Sequence, residues 1–408
     1  LRQLEIAISG CGPAGLAAAC FLADAGHKPV IYERFAEARP VGAGLMLQPA
    51  GLIALERIGC RADVEALGSR ITRFRGWSAP DWHQLVEVDY TQLAGDLYGL
   101  GIHRASLFSA LRQAVVARGI AIEAATEIIG ALPEIHGRVR PLCMDGRSLT
   151  TVDLVIDASG VNSRLRSLVG APPSPSPYRY GAIWASLPNT DFARDVLLQR
   201  YVAARHMVGV LPVGHLADSE TPLVTLFWSL RPEDHGALLA AGFEAWRDRV
   251  AAIWPQAAQL LDRTTDFSAF ALARYAQFTL RVPFTEGVVF IGDAAHSTSP
   301  QLGAGVTMAM LDAAALTDAL AEAGDLQDAQ LAYADLRNRH IRFYQMMSRL
   351  LTPLFQSDAR LLADLRDAAM PLIDHFPWLR RRMYETFAGL ATGLFTAARP
   401  DTLAGCKF

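Results

Sequence analysis

Leu4-Glu5-Ile6-Ala7-Ile8-Ser9-Gly10-Cys11-Gly12-Pro13-Ala14-Gly15 is the stretch whose reading decides the fold. Glu5–Ser9 is a short apolar segment that reads as a buried strand, and the glycine turn follows at once. From Leu16 to Ala25 the apolar residues carry helical spacing, and Gly26 closes the segment. Pro29–Tyr32 is a second strand, ending at the acid Glu33. Strand, G-x-G-x-x-G turn, helix, strand and terminal acid make the βαβ unit of a dinucleotide fold. Each part has a physical task. Gly10 permits the tight turn, Gly12 lets the backbone approach a pyrophosphate, and Gly15 lets the helix lie close to the strand. The helix N-terminus offers free N–H groups to phosphate. Glu33 can accept from a ribose 2′-hydroxyl and repels a 2′-phosphate, which suits FAD or NAD(H) but not NADP(H).

The rest of the 408-residue chain fits a core-rich globular protein of two or three domains, with 51% hydrophobic and 19% charged residues. A formal net charge of −3 offers no electrostatic case for nucleic acid or an anionic membrane. Apolar runs such as Leu16–Ala23 stop short of a membrane span, and Leu4–Ser9 reads as a strand rather than a signal peptide. The five cysteines (Cys11, Cys20, Cys60, Cys143, Cys406) are scattered without a CxxC, so free thiols in a cytoplasmic protein are expected, with no metal site.

Further along, Pro49–Ile58 and His103–Ala117 read as helices and Val152–Ala158 as a buried strand. Four prolines in Pro172–Pro177 read as a linker. Strands are expected near 178–187, 196–202, 206–212 and 223–230, then a helical stretch over 236–261. Val288–Gly292 reads as a strand, Gly305–Ala323 as a helix, and the remainder as helical. The fold class is therefore α/β. A discontinuous Rossmann-like dinucleotide-binding domain covers 1–75, 98–175 and 276–340, the FAD-binding domain by the family resemblance that the Asp293 region carries. An inserted β-sheet domain, the substrate domain by the same resemblance, covers 76–97 and 176–275, and a C-terminal helical region covers 341–408.

A second constellation, Gly292-Asp293-Ala294-Ala295-His296 leading to Pro300-Gln301-Leu302-Gly303-Ala304-Gly305-Val306-Thr307, places an acid at a strand end and glycines at a helix start. Asp293 can bind a polyol hydroxyl, and the helix N-terminus can face a developing negative charge, as on reduced flavin. Together with the N-terminal fingerprint and Ser163-Arg164, this pattern resembles the class A flavoprotein monooxygenases, typified by para-hydroxybenzoate and salicylate hydroxylases.

The resemblance implies that Gly10, Gly12, Gly15 and Glu33, with Pro13, Ala14 and Arg34 beside them, hold the ADP half of FAD. It implies that Arg104 reaches the flavin and pyrophosphate, and that Asp293 binds the ribityl chain. Gly303, Ala304, Gly305 and Val306 would line the pyrimidine edge, Pro300 the reacting face, and Gly42–Leu45, including Gly44 and Leu45, the dimethylbenzene side. The middle motif departs from the family's Gly-Ala-Asp-Gly. It reads Asp157-Ala158-Ser159-Gly160, with Ser159 for the usual aspartate and Asp157 two positions earlier as the remaining cofactor-site acid. Nicotinamide reduction is the step this change bears on. Thr307 replaces an expected Asn.

The implied activity is hydroxylation of an aromatic or heteroaromatic small molecule with O₂ through a C4a-hydroperoxyflavin. NADH or NADPH would be a transient co-substrate. A carrier-bound or amine substrate, or an FAD-dependent reductase or dehydrogenase, would share these motifs. A halogenase would need a catalytic lysine and a second Trp, absent around Ile183-Trp184-Ala185-Ser186-Leu187-Pro188. Tyr201, His206 and Trp228 lie in strand-like segments and are candidate substrate contacts, with Tyr201 or His206 as a base; the plainer reading makes them ordinary sheet residues. His296 is a candidate for proton transfer, or shapes its loop. Arg380-Arg381-Arg382 reads as a solvated helix face rather than a membrane contact, and the late helices suit a monomer or a homodimer.

Overall fold

The central strand Glu5–Ser9 is flanked on both edges. It pairs in parallel with Leu154–Asp157 on one side and Lys28–Tyr32 on the other. Leu154–Asp157 pairs in parallel with Val288–Phe290, and short strands at Phe284–Thr285 and Ile122–Glu123 complete a six-stranded sheet. Burial on both faces explains why these segments read as unbroken apolar runs. Ser9 stands opposite both Tyr32 and Asp157, and Asp157 opposite Phe290, so four strands end at one edge. That carboxyl edge is where ligands bind in open parallel sheets. The computed structural model describes residues 2–37, 44–170 and 175–404; Gly42, Cys406 and residues 172–174 of the proline linker lie outside them.

Gly10 has φ +107°, and a Cβ there would sit 2.7 Å from the Ala158 carbonyl oxygen. A Cβ on Gly15 would fall 2.0 Å from the Gly10 carbonyl oxygen, so the helix Pro13–Asp24 can seat on its turn only with glycine here.

A second, seven-stranded sheet runs in the order Ala271–Ala273, Gly181–Pro188, Leu223–Leu230, His206–Pro212, Val196–Val202, Arg73–Ser78, His83–Asp89. Its neighbours are antiparallel except Val196–Val202 with Arg73–Ser78. One face (Ile183, Val208, Val210, Leu226, Trp228) packs on Leu238, Trp246 and Val250 from the helices behind it. The other face looks toward the first sheet. The expected helix over 236–261 is three helices, His235–Ala241, Phe243–Ile253 and Pro255–Gln259. Gly242 at φ +89° and Pro255, which lacks an N–H, interrupt it. The other segments agree within a few residues. Among the described residues, Cys11, Cys20, Cys60 and Cys143 are free and buried. No described helix is long and apolar enough to cross a membrane.

The long helix Leu326–Phe355 is tied to Gly305–Glu322 by a buried polar knot. Asp312 accepts from Arg337 Nε at 2.7 Å, from Gly292 N at 2.8 Å and faces His296 Nε2 at 2.6 Å, and Arg337 Nη1 meets His340 Nδ1 at 2.8 Å. Burial alone would raise the Asp312 pKa, but the charges of His296 and Arg337 overcome it and hold it at about 2. A carboxylate depressed in the folded state stabilises the fold above the unfolded carboxylate pKa, and this contribution is lost as pH falls from roughly 4 toward 2. Asp312→Asn should cost about 3–5 kcal/mol, because Arg337 is left buried beside a neutral amide. Chemical denaturation at neutral pH checks this, and an unchanged midpoint would contradict it.

Candidate active site

A cavity of about 570 Å³ opens at the carboxyl edge of the six-stranded sheet and continues to the inner face of the seven-stranded one. At its first end lie Gly10, Gly12, Pro13 and Ala14. A Cβ on Gly12 would meet no protein atom within 4 Å, so the backbone here is open to a ligand. Gly12 is the N-cap of Pro13–Asp24 and provides no side-chain cap, which leaves the helix N–H groups available. Glu33 also lines the cavity. Its carboxylate is held by Cys11 N at 2.8 Å and Phe35 N at 3.1 Å, with further lone pairs to accept from a ribose. Arg34 borders the same end, with its guanidinium over Phe35.

Arg104 and Asp293 both line the middle of the cavity. Arg104 heads the helix Arg104–Ala117, capped by His103, whose Nδ1 accepts from Ala105 N at 3.1 Å. The Arg104 guanidinium lies 5.3 Å from the Trp184 ring centre, and its buried Nε has no hydrogen-bond partner. Burial pulls its pKa down, against the opposing charge of Asp293. Asp293 is enclosed by protein yet bare toward the cavity; burial raises its carboxyl pKa, opposed by His296 and Arg104. Beyond it, Pro300, Gly303, Ala304, Gly305 and Val306 line the wall, and the helix Gly305–Glu322 begins without a side-chain cap. Gln48 braces this wall. Its Nε2 donates to Leu302 O at 2.9 Å, its Oε1 accepts from Tyr90 at 2.7 Å, and its N–H donates to Thr307 at 2.9 Å. Thr307 is thus a buried tie to the strand Gly44–Leu47. Gly44 and Leu45, in that strand, face the cavity.

An acid for a ribose, an open glycine turn for a pyrophosphate, an orphaned arginine N–H, an acid for a polyol and an uncapped helix start follow one another along a single cavity. That order fits FAD. A family model described as FAD binding domain matches residues 3–342. The chain belongs to this family. It is a flavin-dependent monooxygenase, and FAD is its cofactor. It is 29% identical over 324 residues to a 3-amino-4-hydroxybenzoate 2-monooxygenase of Streptomyces cremeus, covering 77% of this chain and 78% of that one. It is 28% identical over 329 residues to a 6-hydroxynicotinate 3-monooxygenase of Bordetella bronchiseptica, covering 77% and 82%. The fold matches Klebsiella pneumoniae HpxO, solved with FAD and uric acid, with a TM-score of 0.77 at 19% identity over 94% of this chain and 97% of that one.

Several sequence candidates lie elsewhere in the monooxygenase. Gly15 packs on Gly10 behind the cavity rather than lining it. Asp157 is fully buried outside the lining, and accepts from Ser159 N at 3.0 Å, Ser159 Oγ at 2.5 Å and the Ser163 hydroxyl. Burial raises its pKa against those hydrogen bonds, and its place is to shape the loop whose Ser159 and Gly160 do line the cavity. His296 points away into the Asp312 knot. Trp228 and His206 sit on the far face of the sheet, with ring centres 5.6 Å apart, because strand alternation sends Phe227 and Met207 inward instead. Tyr201 has inward parity but is capped by Phe355 and Arg366, and burial pushes its phenol pKa up, so it is no base. Its hydroxyl donates to Gln199 Oε1, and Gln199 lines the cavity.

Residues the sequence reading passed over are Trp184, Gln199, Phe227, Tyr275 and Gln356, all in the lining. For Trp184, Gln199 and Phe227 the signal was two-residue alternation, usable only once one inward residue is known; Tyr275 and Gln356 lie outside the strands and carried no such signal.

Glu33→Arg should lower flavin retention on gel filtration at least about ten-fold, through loss of charge-assisted hydrogen bonds. A full flavin spectrum after the column would refute the assignment of Glu33. His206→Gln should leave steady-state kcat/KM unchanged while Trp184→Ala lowers it; the reverse order would invert the placement of the two faces.

Proposed function

We propose that this monooxygenase hydroxylates a small aromatic or heteroaromatic compound in the chamber between Pro300 and the inner face of the seven-stranded sheet. The carrying observation is the lining of that chamber. Phe74, Trp184, Met207, Leu211, Phe227 and Phe387 continue directly from the FAD cradle. Flat apolar walls suit a ring and exclude water from its surroundings. The names of the curated relatives, which act on an aminohydroxybenzoate and a hydroxynicotinate, support the same class.

In the net reaction one oxygen atom of O₂ enters a ring C–H bond, giving C–OH. The other leaves as water, with two electrons and a proton from NADH or NADPH and a second proton from solvent. Bound FAD supplies the electron transfer to O₂. The chain's own residues hold and shape. Glu33 and the Gly10–Ala14 turn would bind the adenosine diphosphate, Asp293 the ribityl hydroxyls, and the N–H groups at Gly305–Val306 the negative charge of the reduced ring. Pro300 would wall the face at which oxygen is delivered, and among the described residues no side chain placed to act as a base faces the chamber. The proposed ring is therefore activated by its own substituents and by exclusion of water. Asp157, by positioning Ser159, sets the loop bordering nicotinamide access.

Anaerobic stopped-flow reduction of the yellow protein by NADH and NADPH, with and without aromatic ligands, tests the reading. Reduction at least about ten-fold faster with one ligand, followed by oxygenated product in air, is expected. Full turnover of an unoxygenated product without O₂ would instead mark a dehydrogenase.

A further inference from the structure

Among the described residues six charged side chains line the cavity; five border its cofactor half, and Arg104 stands at the boundary, its guanidinium 5.3 Å from the Trp184 ring centre of the chamber wall. Glu33 and Arg34 end the second strand of the βαβ unit, Glu127 and Arg164 pair at 3.1 Å, and the charge of Asp293 opposes that of Arg104. Beyond Arg104 the chamber wall carries no charge of either sign among the described residues. A buried cation behind Tyr201, Arg366, is spent: its Nη2 lies 2.7 Å from Asp367, and Nη1 donates to the Ala203 and Leu354 carbonyls.

Among the described residues carboxamides line the cavity at Gln48, Asn162, Gln199, Gln301 and Gln356, and two of them bear on the chamber. Gln356 is 5% exposed, yet neither its Oε1 nor its Nε2 has a hydrogen-bond partner. Buried amides left unpaired are rare and costly, so a missing partner is indicated. Its place is set from two sides. Phe355 packs against Tyr201 with the rings tilted and their centres 5.2 Å apart, and Thr352, one turn earlier, meets the Ser299 hydroxyl at 2.8 Å, next to Pro300. Gln199 is the second. Its oxygen takes the Tyr201 hydroxyl, which leaves its Nε2 as a donor toward the cavity.

We infer that Gln356, with Gln199, selects a neutral aromatic substrate whose edge carries a donor beside an acceptor, as in a lactam or carboxamide. This rests on the hydroxylase reading above. A carboxamide can pair reciprocally with such an edge, whereas a carboxylate would be desolvated with no cation other than Arg104 among the described residues to meet it. Arg104, with its unpaired Nε and the opposing charge of Asp293, is given to the cofactor in the hydroxylase reading rather than to the substrate.

The test uses the FAD-loaded enzyme and matched pairs: 4-hydroxybenzamide against 4-hydroxybenzoate, and 6-hydroxynicotinamide against 6-hydroxynicotinate. Binding is read by calorimetry, and flavin reduction by stopped flow. The amide of each pair should bind at least about ten-fold tighter than its acid. Gln356→Leu should erase that preference, and Gln356→Arg should reverse it toward the acid; the second variant keeps the test alive if the first folds poorly. Acids binding as tightly as amides to the wild type would overturn the assignment of a neutral edge. If those acids are also hydroxylated, the hydroxylase reading stands without it. Silence from every aromatic compound in both assays would overturn both.

Discussion

One buried carboxylate sets much of the site. Asp312 joins the strand end at Gly292, the loop through His296 and, by way of Arg337, the long helix Leu326–Phe355. Those three elements carry Asp293, the Pro300 wall and Gln356. A buried ion cluster is weak evidence for net stability, since desolvation offsets much of its attraction. Its geometric consequence is plainer: the cofactor wall and the chamber wall hang from the same knot.

The same constraint explains why His296 is no acid or base here. A histidine beside an exposed strand end reads as chemistry, yet its Nε2 is committed to Asp312 and its ring is buried beneath the cavity. Asp157 follows the same pattern, with its oxygens taken up by Ser159 and Ser163. The polar residues that remain unpaired are the informative ones. Arg104 Nε faces the cofactor region, and the Gln356 amide borders the substrate chamber.

The division of labour between the two sheets follows from their surroundings. The parallel sheet is covered on both faces and offers only its carboxyl edge, where loops and helix starts gather around a cofactor. The larger sheet is covered on one face by the tryptophan-rich cluster around Trp246, so its other face is free to wall a chamber. Size and flatness come from Trp184 and Phe227, and polarity from Gln199 alone among the inward residues of Val196–Val202.

Local spacing in the sequence was enough for the βαβ unit, Glu33, the Asp293 strand end and the uncapped helix at Gly305, because each is a contiguous pattern whose neighbours along the chain are its neighbours in space. Strand positions in the second sheet were legible as well, since β-like composition marks a segment whatever it packs against. The inward face was not. A shift of one residue exchanges Trp228 for Phe227 and His206 for Met207, and that phase is set by pairing across strands and by the helices behind them. Nor could the sequence place Gln356, about 150 residues from its neighbours in the sheet, or show that Tyr201 is sealed by Phe355. Those outcomes depend on which side chains far apart in the chain compete for the same space, and only the tertiary structure decides that.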